Sequence, residues 1–386
     1  MPSLRLLNVT KRFGDVKALD DVTFDVKDRE YVCVLGSTGS GKTTLLRTIA
    51  GIIKPDEGEV FIDSVNVGGV AAEDRNAVYV PQTYALFPHM TVLDNVTFGP
   101  IAKDTSKVAA EETAMNVLRL VRLDKRADAY PNELSGGMQQ RVALARGLAS
   151  GARLLLLDEP LGALDVRLRL ELRTELRRLA KESGLTVIHV THDQEEAMTI
   201  GDRILILRWG RLQQYGTPYH VYNRPEKIFV ANFVGNTNFL EAIVDTRTRE
   251  GSTLTLREGL KIRVLDSSFE PEEAVIVAIR EEKTSVTPEP TGEEPNRLSG
   301  EVVEVHFLGS HIRYVIKLSN GDEIAARVPL KEARTELKHG DWVSVSFDPV
   351  NSHVYEYPIP RSHAREELAS DVLSFSLGTR RRLMVR

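Results

Sequence analysis

Apolar and polar positions change their spacing twice along this chain, and each change marks a boundary. Residues 3–9 and 16–26 alternate, with Val22, Phe24 and Val26 set against Thr23 and Asp25, as antiparallel strands with one buried face do. Short dense runs follow: Tyr31-Val32-Cys33-Val34-Leu35, Ala77-Val78-Tyr79-Val80, Leu154-Leu155-Leu156-Leu157, Thr186-Val187-Ile188-His189-Val190 and Arg203-Ile204-Leu205-Ile206-Leu207. They read as strands, and the four leucines are dense enough for a central parallel strand covered on both faces. From Gln82 to about residue 150 the spacing is helical. Ala114, Met115, Leu118 and Val121 share one face, which Val117 and Leu120 widen. A second stripe, Leu168, Leu172, Leu176 and Leu179, predicts a core face, with Arg169, Arg173 and Arg177 on a solvated one.

After Pro225 the pattern changes again. From about residue 238 short alternating segments recur at 254–257, 260–265, 274–279, 300–307, 311–318, 323–328 and 341–347. Turn signals such as Asn320-Gly321-Asp322 separate them, and the polar stretch 287–295 reads as a loop. Strands at this density predict a small barrel or sandwich. The pattern therefore divides the chain into an α/β domain over 1–235, with a helical insertion at about 83–150, and an all-β domain over 236–386. Arg380, Arg381, Arg382 and Arg386 suggest a solvated or frayed end.

Between the first dense strand and a helical run lies GSTGSGKTT, residues 36–44. Gly36, Gly41, Lys42 and Thr43 fill the fixed places of G-x-x-x-x-G-K-[ST] in the strand, loop, helix context of a phosphate-binding loop. A polyphosphate needs many donors in a small volume. Glycines let successive backbone N–H groups of Ser37, Thr38, Gly39, Ser40 and Thr44 turn toward its oxygens, and the helix start adds its dipole. Lys42 reaches the β- and γ-phosphates and the Thr43 hydroxyl ligates Mg²⁺. The leucine run ends in Asp158-Glu159-Pro160, where open α/β sheets place their ligands. Asp158 is the candidate Mg²⁺ partner and Glu159 the candidate base for an attacking water. Ser135 before Gly136-Gly137 either caps the following helix or begins a second phosphate-binding helix start. His192, after the strand ending at Val190, is either a loop residue or a γ-phosphate contact. Phe13, beside Gly14 in a turn, is either core or a platform for a base.

Bulk composition narrows the setting. A chain of 386 residues is too long for one core. A net charge of −5 gives no electrostatic footprint for nucleic acid. The single cysteine, Cys33, excludes a disulfide framework and suits a reducing compartment. The start shows no apolar segment of a signal peptide, and no run approaches the ~20 residues of a membrane helix. Service to a membrane would run through partners.

The phosphate loop, Gln82, Leu134-Ser135-Gly136-Gly137-Met138-Gln139-Gln140-Arg141, the leucine-Asp-Glu-Pro run and His192 occur in this order. Together they resemble an ABC transporter ATP-binding subunit over residues 4–235. The β-rich remainder resembles the TOBE-type, OB-like extension of the importer branch that serves maltose, polyamine and ferric iron. It does so through Phe307-Leu308-Gly309 and Val277-Ala278-Ile279-Arg280-Glu281-Glu282, where Arg-Glu-Glu replaces a common Arg-Pro-Glu. The resemblance implies a P-loop NTPase fold and ATP hydrolysis with Mg²⁺. It implies that Phe13 stacks on adenine and that Gln82 ligates Mg²⁺ and senses the transmembrane partner. It implies that Ser135, Gly136, Gly137 and Gln139 contact nucleotide held by a second copy. Asp165 falls in the D-loop, where Gly162 stands in place of a frequent serine.

The expected machine is a homodimer at the cytoplasmic face of the membrane. It would drive separate permease subunits supplied by an extracytoplasmic solute-binding protein, with residues 83–95 as the docking surface. The junction 233–239 favours a polyamine, iron or anion over a sugar. A soluble ATPase of DNA repair or translation is the competing class; it would carry tandem nucleotide domains or heptads, and neither is present. A nucleic-acid-binding role for the β extension is disfavoured by the negative charge.

Overall fold

The computed structural model describes residues 3–162, 164–288, 296–333 and 336–357. The arginines at 380–386 and residues 289–295 of the polar stretch lie outside them.

The chain divides into two compact units after Asn223. In the first, the dense apolar runs form one sheet in the order Arg211–Gly216, Arg203–Arg208, Tyr31–Leu35, Thr186–Val190, Leu154–Asp158, Ala77–Val80. All neighbours are parallel except the edge strand Arg211–Gly216. Every residue of Tyr31–Leu35, Leu154–Asp158 and Thr186–Val190 is buried, which explains why these strands read as continuous apolar runs. The alternating segments form a second, antiparallel sheet: Val16–Val26, Leu4–Phe13, Glu57–Ile62, Val65–Asn66. Leu6, Val9, Phe24 and Val60 of this sheet share a core with Val32, Leu156 and Leu205 of the first and with Leu45 and Ile49 of the helix Lys42–Ala50. The insertion is helical: Val92–Ala102, Lys107–Leu120 and Gly136–Ala149.

One expectation fails in this unit. The arginines of the helix Val166–Glu182 do not form a solvated face. Arg173 is 3% exposed and meets Asp193 at 3.4 Å. Arg177 pairs with Asp202 at 3.0 Å, and Arg169 Nη1 lies 3.7 Å from Asp193. Helical spacing tells which residues share a side but not what packs against it, and here acidic groups of the following segments do.

The second unit holds two five-stranded antiparallel sheets. One runs Lys261–Val264, Gly251–Leu256, Thr237–Thr248, Ala274–Arg280, Ser352–Glu356. The other runs Ser285–Thr287, Trp342–Ser346, Leu298–Phe307, His311–Leu318, Glu323–Pro329. Leu240, Val277, Tyr314, Ile316 and Val345 from both sheets meet in one core. This is the all-β domain expected from sequence, with three strands the alternation did not separate: Thr237–Thr248, Ser285–Thr287 and Ser352–Glu356. The division falls earlier in the chain than the change of pattern, because the helix Ile228–Phe233 is held within this unit. Arg280 donates from Nη1 to the Ala231 carbonyl and to Thr237 Oγ1.

Candidate functional site

Residues 36–41 carry the chain from the buried strand Tyr31–Leu35 into the helix Lys42–Ala50 through a path that only glycine follows at two points. Gly41 has φ +104°, and a Cβ there would lie 2.3 Å from the Ala18 carbonyl oxygen. A Cβ at Gly36 would lie 2.3 Å from Ser40 Oγ and 2.5 Å from the Leu207 carbonyl. Gly41 offers no side-chain cap, so the first amides of the helix keep their donors for a ligand. Ser37, Thr38 and Gly39 are exposed at the loop's crest, and Thr44 is half-buried.

Lys42 Nζ folds back onto the loop, donating to the carbonyls of Gly36 at 2.8 Å and Ser37 at 2.9 Å. Burial pushes its pKa down, while Glu159 and Asp158 pull the other way. The ammonium is thus held inside the loop by two carbonyls that an anion can replace. Thr43 Oγ1 donates to Asp158 Oδ1 at 3.2 Å, and the Tyr79 hydroxyl donates to Asp158 Oδ2 at 2.9 Å. The last residue of the leucine strand therefore faces the loop threonine.

Glu159 follows at once, in the left-handed region at φ +50°. A glutamate there is uncommon and strained. The chain holds it from both sides: its N–H donates to the Val190 carbonyl at 3.0 Å, and its carbonyl accepts from Gln140 Nε2 at 2.9 Å. Leaving the extended path turns the carboxylate out of the sheet. Its Oε2 accepts from Gln82 Nε2 at 2.9 Å and lies 3.5 Å from His192 Nδ1. Gln82, Glu159 and His192, far apart in sequence, converge on one oxygen.

The remaining candidates stand apart. Ser135 caps the helix Gly136–Ala149, its Oγ accepting from the Met138 N–H at 3.4 Å. Gln139 Nε2 ties the preceding turn at the carbonyls of Pro131 and Leu134. Ser135 and Gly136 are exposed. Among the described residues, no hydrogen bond links Ser135, Gly136, Gly137 or Gln139 to the phosphate loop, Asp158 or Glu159. Asp165 caps the helix Val166–Glu182 through the Leu168 N–H at 3.0 Å. Phe13 is 51% exposed, with Lys11 Nζ 5.6 Å from its ring centre.

Three contributors escaped the sequence. Tyr79 reads as a strand residue, yet it orients Asp158. Gln140 reads as a helix polar position, but it is buried and grips Glu159. Arg146 donates to the carbonyls of Ala85 at 2.7 Å and Tyr84 at 3.1 Å, where both residues have positive φ after Gln82. Gln140 is buried and Arg146 half-buried on a helix whose other buried residues are apolar or glycine, and spacing does not report the carbonyls they reach.

A phosphate loop facing paired acids at the end of a central parallel strand defines a P-loop ATPase. Residues 19–162 match the family described as ABC transporter, and residues 277–354 match the TOBE domain. The chain is 42% identical over 350 residues to the spermidine/putrescine import ATP-binding protein PotA of Rubrobacter xylanophilus, covering 90% of this chain and 92% of that one. It is 39% identical over 330 residues to PotA 2 of Pseudomonas aeruginosa, covering 85% and 91%. Among solved structures, the dimeric post-hydrolysis ATP-binding cassette MJ0796 bound to ADP and Pi superposes with a TM-score of 0.53 at 35% identity. That match covers 56% of this chain and 98% of the cassette. The chain belongs to the ATP-binding subunits of ABC importers, and it is an ATPase.

Proposed function

We propose that two copies of this chain close around ATP at the cytoplasmic face of the membrane and drive import of a polyamine through separate permease subunits. The convergence of Gln82 and His192 on the Glu159 carboxylate, beside Lys42 and Thr43, carries this reading. It assembles a hydrolytic centre on one side of the nucleotide only. The exposed start of the helix Gly136–Ala149 is the matching half, and a second copy presents it: Ser135, Gly136 and Gly137 face the phosphates, with Gln139 bracing the turn and Asp165 at the seam. The dimeric state of the MJ0796 cassette supports this pairing.

In each half Lys42 leaves the Gly36 and Ser37 carbonyls for the phosphates, and the amides of residues 37–44 surround them. Phe13, exposed, stacks on the adenine. The donor set fits a hard cation: a hydroxyl, a carboxylate and an amide oxygen from Thr43, Asp158 and Gln82. Mg²⁺ bound by these three residues would offset the negative charge of the phosphates. Glu159 orients a water and takes its proton, while His192 donates to the γ-phosphate. Differential affinity of ATP for the closed pair supplies the work.

The most similar relatives named here import spermidine and putrescine, which favours a polyamine over a sugar. Among the described residues no helix is long and apolar enough to cross a membrane, so permeation belongs to other subunits. The test is uptake of labelled putrescine by cells that express this chain together with polyamine permease subunits. Uptake abolished by Glu159→Gln is expected. Equal uptake without the chain, or transport of maltose instead, contradicts the reading.

A further inference from the structure

Beneath the His192 turn lies a buried polar chain that the hydrolytic centre does not itself use. Tyr31 OH stands 2.8 Å from His189 Nδ1 in the core between their neighbouring strands. Burial raises the Tyr31 pKa well above its ordinary value, so the hydroxyl keeps its proton and shares a hydrogen bond with Nδ1. The imidazole turns its other nitrogen, Nε2, toward the helix Gln194–Ile200. That atom approaches Glu196 Oε1 to 2.9 Å. Neither atom meets hydrogen-bond geometry with any described residue, so this close approach is what each has, and both side chains are almost fully buried. An unpaired carboxylate in such a place is strongly disfavoured. Burial alone would raise the Glu196 pKa, but His189, Thr191 and Arg173 outweigh it and the net shift is downward. The carboxylate is ionised.

Its second oxygen leads to the active turn. Thr191 Oγ1 donates to Glu196 Oε2 at 3.2 Å and accepts from the Asp193 N–H at 3.0 Å. Asp193 Oδ1 returns to the Glu196 N–H at 3.0 Å, and its Oδ2 faces Arg173. The Thr191 N–H is fixed on the Val34 carbonyl at 3.2 Å. Thr191 is therefore tied directly to the buried carboxylate and Asp193 to it through the Thr191 hydroxyl, while the His192 side chain is 65% exposed. Among the described residues, Glu159 alone approaches the imidazole.

We propose that Glu196, acting through the Thr191 hydroxyl, is the positioning residue that holds the His192 turn against Glu159 during hydrolysis. The proposal rests on the role given to His192 above. Tyr31 and His189 fix the carboxylate, the carboxylate fixes Thr191, and Thr191 fixes the backbone on both sides of the histidine. Positioning of this kind acts on turnover more than on ATP binding, which the loop 36–44 provides.

Thr191→Val is close to isosteric and removes only the hydroxyl, so it tests the link without emptying the core. In the full chain, Thr191→Val is expected to lower kcat about tenfold with KM for ATP within about twofold, since small displacements of an oriented group carry such costs. Thr191→Ser restores kcat. Glu196→Gln reproduces the Thr191→Val loss, with the melting temperature recorded beside it. In a His192→Ala background, followed for hours with γ-labelled ATP, adding Thr191→Val costs less than about twofold, because the two act as one unit. Native kcat in Thr191→Val overturns the proposal. So does a KM that rises as kcat falls, or an equal loss in both backgrounds. Native turnover in His192→Ala alone would instead remove the role of His192 on which the proposal stands.

Discussion

The candidate hydrolytic site and the β domain solve the burial of polar groups in opposite ways. In the β domain, polar side chains close on fixed partners. Asn238 accepts from the Ala325 N–H at 2.7 Å and donates to its carbonyl at 2.8 Å. Arg313 forks onto Glu281 through three contacts of 2.7–3.0 Å. At the hydrolytic centre the partners are provisional. Lys42 rests on carbonyls, Ser40 Oγ is buried without a partner among the described residues, and Glu159 sits in a strained conformation. The difference follows from where the backbone ladder ends. Within a sheet the ladder consumes donors and acceptors and keeps residues extended. At the C-terminal ends of parallel strands it stops, and loops leave amides and side chains for a ligand.

That contrast can be broken most severely at Gly41. Gly41→Ala places a Cβ against the Ala18 carbonyl at positive φ, a strain of about 1–3 kcal/mol. ATP binding measured by equilibrium dialysis should weaken by more than about tenfold, with the β domain unaffected. Binding at native strength would show the loop to be less exacting than its geometry. The reciprocal change is Glu281→Ala, which strands Arg313. Arg313 is only partly buried, so the loss should be about 2 kcal/mol in denaturant unfolding, below the ~3–5 of a fully buried pair, with ATP turnover unchanged.

Asp202 sharpens the comparison inside the first unit, away from the nucleotide. Burial would raise its pKa, but Lys181, the Tyr31 N–H and Arg177 together hold it below the ordinary carboxylate value. A depressed folded pKa contributes stability above the unfolded value and loses it as pH falls through the folded one. Asp202→Asn should therefore cost about 1–2 kcal/mol at neutral pH, and the gap between variant and native should close in acid. A gap that persists below the carboxylate range would assign the effect to packing. The smallest effect concerns Glu159. Glu159→Gly relieves the left-handed strain and should stabilise the chain by up to about 1 kcal/mol while turnover disappears. A lower melting temperature would show that Gln82 and His192 stabilise the glutamate more than its backbone strains it.

How much was legible depended on whether a residue's task is local. The loop 36–44 was readable because its function lies in backbone path and spacing, which glycines declare. The tetra-leucine strand announced both its burial and the acids at its end. Most β-domain strands followed from alternation, although Ser352–Glu356 is too short and polar to stand out. Arg173 was misplaced on a solvated face, because a helix's own spacing cannot name its neighbours. Tyr79, Gln140, His189 and Glu196 act through contacts between segments far apart in sequence, and nothing in their local pattern marks them. The position of Ser135 was readable, but its choice between a cap and a ligand contact was not. It caps its helix within this chain, and the proposed contact would be made to nucleotide held by a second copy.

The pairing of two copies around ATP is tested most directly by light scattering on the Glu159→Gln chain with saturating Mg-ATP. The expected result is a stable dimer that reverts to monomer when ATP is withdrawn, and that is lost on adding Ser135→Arg at the exposed helix start. A chain that binds ATP yet remains monomeric under these conditions would contradict the account.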